Sequence, residues 1–197
     1  MTRDNIARVT TTELSAETRA QILDAALRRV REHGAAAISV RAIASDAGVS
    51  RQLVYFHYGN RAGLLTALAA HLDATSGLAD VDEDAEPILA LEQLLRAWCA
   101  HLPRILPVAR ALEAASITGD EGAAAWEERM RELHARFGAA VARVELSPGW
   151  TAETATDWVW TRLHPGAYAH LVEDRGWTHA HFTEWSVGSL LSELSEP

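Results

Sequence analysis

Lysine is absent from this 197-residue sequence, and cysteine occurs once, at Cys99. A single cysteine cannot close a disulfide within the chain, so nothing in the sequence calls for an oxidising compartment. No run approaches the roughly 18 consecutive apolar residues that a membrane-spanning helix needs. The first residues also lack the apolar stretch of a secretory signal. We therefore expect a cytoplasmic protein.

Signatures of enzyme active sites are scarce as well. No glycine-rich loop of the kind that cradles phosphate is present, and Cys99 has no base that the sequence makes visible. His179 and His181 are two residues apart, so on a helix they would diverge by about 200 degrees and could not share a metal ion. We expect no catalytic residue, no cofactor and no metal. A helical enzyme or metal-binding protein that uses the histidines and cysteine of the C-terminal part is the remote alternative.

Charge is distributed unevenly along the chain, although the net charge is −9. Residues 1–71 contain nine arginines and six acidic residues, a net of +3. Residues 72–197 contain nine arginines and 21 acidic residues, a net of −12. A basic first segment on an acidic body is typical of a protein that presents one end to a polyanion.

Apolar residues recur at helical spacing, and no segment alternates as a strand would, which predicts an all-α protein. Four short helices are each expected to open with a capping side chain: Ser15, Ser39, Ser50 and Asn60. An acidic stretch with glycine near its start and proline at its end predicts a loop or linker over residues 76–87. Longer helices are predicted at 87–102, 103–117, 121–145, 151–175 and 178–194, with a kink at Pro165.

The informative segment is SVRAIASDAGVSRQLVYFHYGNRAGLL, residues 39–65. It predicts two short helices joined by a tight turn at Gly48, which can take the left-handed backbone such a turn needs. Apolar side chains would then fix the helix crossing from within: Ile43, Ala44, Val49 and Val54. This pattern is typical of a helix-turn-helix, whose second helix presents side chains to the major groove of DNA.

Residues 15–70 resemble the N-terminal domain of TetR-type (TetR/AcrR) transcriptional regulators. The resemblance is carried by an ordered set of residues: ILDAAL, Gly34, Ser39-Val40-Arg41, Ile43-Ala44, Ala47-Gly48-Val49-Ser50, Tyr55, His57, Tyr58, Asn60-Arg61 and Leu64-Leu65. It implies a fold with an N-terminal three-helix helix-turn-helix DNA-binding domain and a C-terminal helical domain for ligand binding and dimerisation. It also implies that the protein is not an enzyme.

The resemblance implies a role for each matching side chain. Arg41 and Arg51 would reach base edges, where a forked contact to guanine is worth about 1–3 kcal/mol of discrimination. The side chains nearest the groove floor would be Gln52 and Leu53. Leu53 replaces the small or hydroxylated residue usual in the family, which suggests contact with a thymine methyl.

Other matching positions contact the phosphate backbone or base methyls in the family. They are Tyr55, His57 and Arg61. Helix N-termini at Ser39 and Ser50 would approach phosphates. Phe56 lies at a variable position, and its role stays open.

The resemblance also implies that the C-terminal half builds a dimer through its last two helices. The interface residues we expect are Trp158, Leu163, Leu171, Phe182, Trp185, Leu190 and Leu194. The alternative is that these stripes belong only to the core of one chain. All seven tryptophans lie in the body, and aromatic walls with few polar groups are typical of small-molecule pockets. The candidate ligand-binding residues are Trp98, His101, Arg104, Arg110, Trp126, Met130, His134 and Trp160; the alternative is plain core.

We therefore expect a homodimeric regulator that binds double-stranded DNA at a palindromic operator and is released as a repressor by a small-molecule effector. The alternatives are an activator or a ligand-independent regulator of the same fold. The expected division is a flexible arm at 1–14, the helix-turn-helix domain at 15–60, a connecting helix at 61–78 and the ligand-binding and dimerisation domain at 79–197.

Overall fold

The computed structural model describes residues 14–34, 38–82, 84–117 and 122–195. Within these ranges every regular element is helical, which confirms the all-α prediction. None of the described helices is both long and apolar enough to cross a membrane. Nearly all of the arm predicted at 1–14 lies outside the described residues.

Four short helices come first: α1 (Ala16–His33), α2 (Val40–Asp46), α3 (Arg51–Tyr58) and α4 (Arg61–Ala74). Each opens at the predicted cap. The hydroxyls of Ser15, Ser39 and Ser50 accept hydrogen bonds from backbone N–H groups three residues on, and the Asn60 amide oxygen does the same for α4. These caps satisfy donors that the first helical turn leaves unpaired, which is why each helix starts where it does.

The second half holds α5 (Pro87–Ile117), α6 (Gly122–Val141), α7 (Ala152–Leu163), α8 (Pro165–Ala169) and α9 (His179–Leu194). A 3-10 turn (Leu78–Asp80) joins α4 to α5, and a π-helical turn (His170–Asp174) continues α8. The long helix α5 lies at the centre and packs against α4, α6, α7, α8 and α9. One continuous set of buried side chains runs from α1 to α9, so α4 is packed into both halves of the molecule.

The predicted break before Pro103 is wrong, because α5 continues through both Pro103 and Pro107. A proline inside a helix removes one backbone hydrogen bond and costs roughly 3 kcal/mol. The side chains around these prolines are nevertheless almost fully buried: Leu102, Ile105, Leu106, Val108 and Ala109. Burial of this apolar face outweighs the local preference and keeps the helix continuous.

The helix predicted at 151–175 is divided in two, and the division falls at Pro165, where a kink was predicted. The chain leaves helical geometry at His164, whose ψ is 141°, and starts α8 with Pro165 at its first position. A residue before proline is pushed out of the helical region, and proline itself suits a first turn. The His164 ring accepts a hydrogen bond from the Gly166 N–H at 3.1 Å and caps the new helix.

Candidate nucleic-acid interface

The turn between α2 and α3 has the predicted geometry. Gly48 has a φ of 67°, a left-handed conformation, and the Val49 N–H donates to the Ala44 carbonyl at 2.9 Å. A β-carbon at Gly48 would meet nothing within 4 Å, so its glycine is required by backbone conformation and not by space. Ile43, Ala44 and Val54 are buried as predicted, which fixes the crossing of the two helices.

An ion pair between α1 and α2 holds the helix-turn-helix from outside. Arg29 Nε donates to Asp46 Oδ2 at 2.7 Å and its Nη2 donates to Oδ1 at 3.1 Å. The hydrogen bonds from Arg29 lower the pKa of the Asp46 carboxyl. The sequence alone does not reveal this pair, because the two residues lie 17 positions apart.

Helix α3 buries a single side chain, Val54, and turns much of its surface outward. Arg51 and Gln52 are exposed in its first turn, while Leu53 is half-buried. Tyr55 and Phe56 are 54% and 62% exposed, unusually high for large aromatic side chains. Exposed aromatic and guanidinium groups on one short helix are suited to contact the edges and methyl groups of bases.

The other predicted contact residues differ in solvent exposure and in the hydrogen bonds they already make. Arg41 is exposed in the first turn of α2, and the hydroxyls of Ser39 and Ser50 are exposed but already bonded as caps. Arg61 is half-buried, and its Nε donates to the Ile38 carbonyl at 3.1 Å. Arg61 therefore fastens the segment that leads into α2.

His57 and Tyr58 line a groove of about 690 Å³ between the start of α1 and the junction of α3 with α4. The rings of Phe56 and His57 meet edge to face at 4.9 Å. His57 Nε2 and the Tyr58 hydroxyl are shielded from solvent and have no hydrogen-bond partner. Tyr58 packs on the core, and burial raises the pKa of its phenol.

The C-terminal end of α4 is tied to the body by a polar cluster that the sequence did not reveal. Arg129 on α6 donates to both carboxylate oxygens of Asp73, with Nε to Oδ2 at 2.6 Å. His101 on α5 is 1% exposed, and its Nε2 lies 3.0 Å from Asp73 Oδ1. Arg104 donates to the Thr75 carbonyl at 2.8 Å. Partners 28 and 56 residues apart leave no periodic signal in the sequence.

The eight candidate ligand-binding residues differ in burial and in the partners they contact. Trp98, Trp126 and Met130 are buried, whereas Arg110 is exposed and pairs with Glu173 at 2.5 Å. Two pairs do meet: the Trp98 and His101 rings at 5.6 Å, and the His134 and Trp160 rings at 5.5 Å. Among the described residues, no group of three or more histidine, cysteine or carboxylate side chains is arranged to hold a metal ion.

The predicted dimer residues divide into two groups. Four are buried inside the protomer and belong to its own core: Leu163, Phe182, Leu190 and Leu194. They pack there because α7, α8 and α9 close directly on α5, so their apolar faces are used within one chain. Trp158 and Leu171 are half-buried, and Trp185 is 44% exposed.

This fold and this interface define an all-helical protein with a helix-turn-helix DNA-binding domain. Residues 22–68 match the family model described as bacterial regulatory proteins, tetR family. Residues 22–68 are therefore a TetR-type DNA-binding domain, the kind of domain that bacterial transcriptional regulators of this family contain.

Known proteins are similar over different parts of the chain. The regulator TtgR of Pseudomonas putida is 35% identical over 89 residues, which is 43% of this chain and 42% of TtgR. The chain is thus matched over less than half the length of that relative. The fold extends further. FadR of Bacillus halodurans has a TM-score of 0.70 at 17% identity, covering 91% of this chain and 97% of FadR. NalD of Pseudomonas aeruginosa has a TM-score of 0.66 at 23% identity, covering 92% and 99%.

Proposed function

We propose that this protein is a dimeric transcriptional repressor that binds a palindromic operator in the cytoplasm and is released by a small-molecule effector. The observation that carries the proposal is the outward face of α3. Arg51, Gln52, Tyr55 and Phe56 stand exposed on a helix whose one buried side chain, Val54, anchors it. In keeping with this, residues 1–71 carry a net charge of +3, whereas residues 72–197 carry −12.

The proposed contacts combine exposed side chains with half-buried ones to which the family resemblance assigns a role. Arg51 and Gln52 lie at the end of α3 that enters the major groove in a helix-turn-helix, and Arg41 is exposed in the first turn of α2. Leu53, Tyr55 and Phe56 would contact methyl groups and sugar edges. Contacts to phosphate would come from His57, Arg61 and the helix starts at Ser39 and Ser50.

We propose that two copies bind together, because the single short helix α3 would bury too little surface for tight and selective binding of DNA. The surface of α7 and α9 offers Trp185 and Trp158 with the Arg162 guanidinium between them. Its Cζ lies 4.3 Å from the centre of the Trp185 ring and 5.2 Å from that of Trp158. Tryptophan and arginine are enriched at the centres of protein interfaces.

Repression and release rest on the position of α4. Helix α4 contacts both the helix-turn-helix domain and the C-terminal helices. A ligand that shifts α4 would therefore change the distance between the two DNA-binding helices of a dimer. NalD, which shares the fold, is described as the secondary repressor of the MexAB-OprM multidrug efflux pump. We propose the domain division given above, with residues 15–60 as reader, 61–78 as connector and 79–197 as body.

The decisive experiment selects preferred duplexes from a random pool. We expect a palindrome whose half-sites are separated by about one helical turn, roughly 34–36 Å. Arg51→Ala should remove selectivity at one base pair of each half-site, worth about 1–3 kcal/mol. Arg131→Ala, which removes an exposed arginine from α6 in the body, is the matched control and should leave selection unchanged. Equal affinity for scrambled DNA would overturn the proposal.

A further inference from the structure

A crevice of about 330 Å³ lies between the C-terminal end of α4, the 3-10 turn and α6. Trp98, Leu78 and Leu133 supply apolar walls, and the charged groups of the lining are Asp73, Glu132, Arg129 and Arg136. Its volume is at the lower end of the range for small-molecule sites. The apolar and the charged side chains together favour a small amphipathic ligand.

The sign of the ligand's charge follows from hydrogen bonds that are already made. Both carboxylate oxygens of Asp73 are occupied, Oδ2 by Arg129 Nε and Oδ1 by His101 and a second nitrogen of Arg129. Arg129 keeps one nitrogen, Nη1, shielded from solvent with no hydrogen-bond partner. A charged donor left unpaired in a shielded place is costly, so Arg129 has spare capacity for an acceptor.

We infer that this crevice binds a small monoanion with a carboxylate at Arg129 and an apolar or aromatic body against Trp98 and Leu133. The Arg129 side chain is 15% exposed and its guanidinium lies over the Trp126 ring, with Cζ 5.3 Å from the ring centre. The guanidinium must turn from Asp73 toward the ligand to form a paired contact. A bound carboxylate therefore competes directly with Asp73.

This inference rests on the proposed function where it concerns release from DNA. Asp73 is the last acidic residue of α4, and Arg129 ties it to α6. A ligand that pairs with Arg129 would break the contact between α4 and α6. If the ligand binds more tightly to the state in which this contact is broken, its binding would favour release from DNA. Binding of the carboxylate itself depends only on the crevice and on Arg129.

The test measures binding of 2-naphthoate and octanoate to the full chain, each compared with its primary amide, by tryptophan fluorescence and thermal shift. We expect at least one acid to bind roughly tenfold or more tightly than its amide, since the amide cannot form a charge-assisted pair. Arg129→Gln should remove this preference. Arg131→Gln, on the exposed face of the same helix, should retain it.

Asp73→Asn distinguishes a ligand site from a structural role. Removing the competing carboxylate should strengthen acid binding several-fold, whereas damage to a purely structural cluster would weaken it. If Arg129→Gln fails to fold, the Asp73→Asn result decides. No preference of either acid over its amide, or weaker acid binding by Asp73→Asn, overturns the inference. Operator binding is measured separately, so a protein that binds an operator but ignores both acids loses only this site.

Discussion

The α-carbon of Gly63 lies so close to the backbone carbonyl of Tyr58 that a β-carbon at residue 63 would collide with that oxygen. Tyr58 is the last residue of α3 and Gly63 lies in the first turn of α4. The C-terminal end of α3 therefore packs directly against the first turn of α4, through backbone atoms. Any movement of α4 in that turn acts on α3 without a flexible side chain between them.

Gly63→Ala should therefore destabilise the protein. The carbonyl it meets cannot rotate away as a side chain could, so either α3 or α4 must shift, at a cost of about 1–3 kcal/mol. The free energy of unfolding, measured by urea denaturation, should fall by that amount. Operator affinity should fall with it, because the reader is displaced.

Gly188→Ala is the matched control for that substitution. Gly188 is also inside a helix, α9, but a β-carbon there meets nothing within 4 Å. Alanine at such a position stabilises a helix by roughly 0.5–1 kcal/mol. Equal effects of the two substitutions would mean that the contact with Tyr58 carries no constraint.

The sequence predicted the helix-turn-helix domain well and the C-terminal domain poorly, because the interactions that shape the first are local in the chain. Ser39, Ser50 and Asn60 act through backbone groups three residues away, so their roles are visible locally. The turn at Gly48 is equally local. Resemblance to the family added the direction in which α3 faces.

Distant partners explain what the sequence did not predict. Asp73 meets His101 and Arg129 across 28 and 56 residues, and Phe182 proved to be core because α9 closes on α5. The break predicted at Pro103 failed because burial of neighbouring side chains outweighed the loss of one hydrogen bond. These outcomes depend on which helices pack together, and helical periodicity does not record that.

Asp73 should make stability depend on acidity. Burial alone would raise the pKa of its carboxyl, but hydrogen bonds from His101 and Arg129 outweigh it and hold the pKa below 3.8. A depressed pKa contributes stability that is complete above the unfolded value and is lost as the pH falls through the folded value. The difference in free energy of unfolding between wild type and Asp73→Asn should thus be steady above about pH 4 and shrink below it. A difference that grows on acidification would contradict the assigned cluster.

The thiol of Cys99 should be unreactive toward thiol reagents in the folded protein. It is fully buried in α5, and burial raises the pKa of its thiol to about 12. Because the thiolate is the reactive form, Ellman's reagent at about pH 8 should label the native chain only as fast as it unfolds, and label it at once in guanidinium chloride. Moving the thiol one residue, with Cys99→Ala and Ala100→Cys, places it on the exposed side of the helix and should give rapid labelling. Immediate labelling of the native wild type would show that α5 opens locally.

Trp185 should be central to the proposed dimer. It is 44% exposed, yet its ring is fixed by the Arg162 guanidinium and by an edge contact with Trp177 at 5.4 Å, so little side-chain freedom is lost on association. Interface tryptophans of this kind often contribute 2 kcal/mol or more, which corresponds to roughly a thirtyfold or greater change in the dissociation constant. Sedimentation of Trp185→Ala should show that weakening, with a parallel loss of affinity for a full palindrome and little change for a single half-site. Leu89→Ala is the control, since it removes an apolar side chain of similar exposure, 48%, from the start of α5. A wild type that sediments as a monomer, or a dimer indifferent to residue 185, would require another interface.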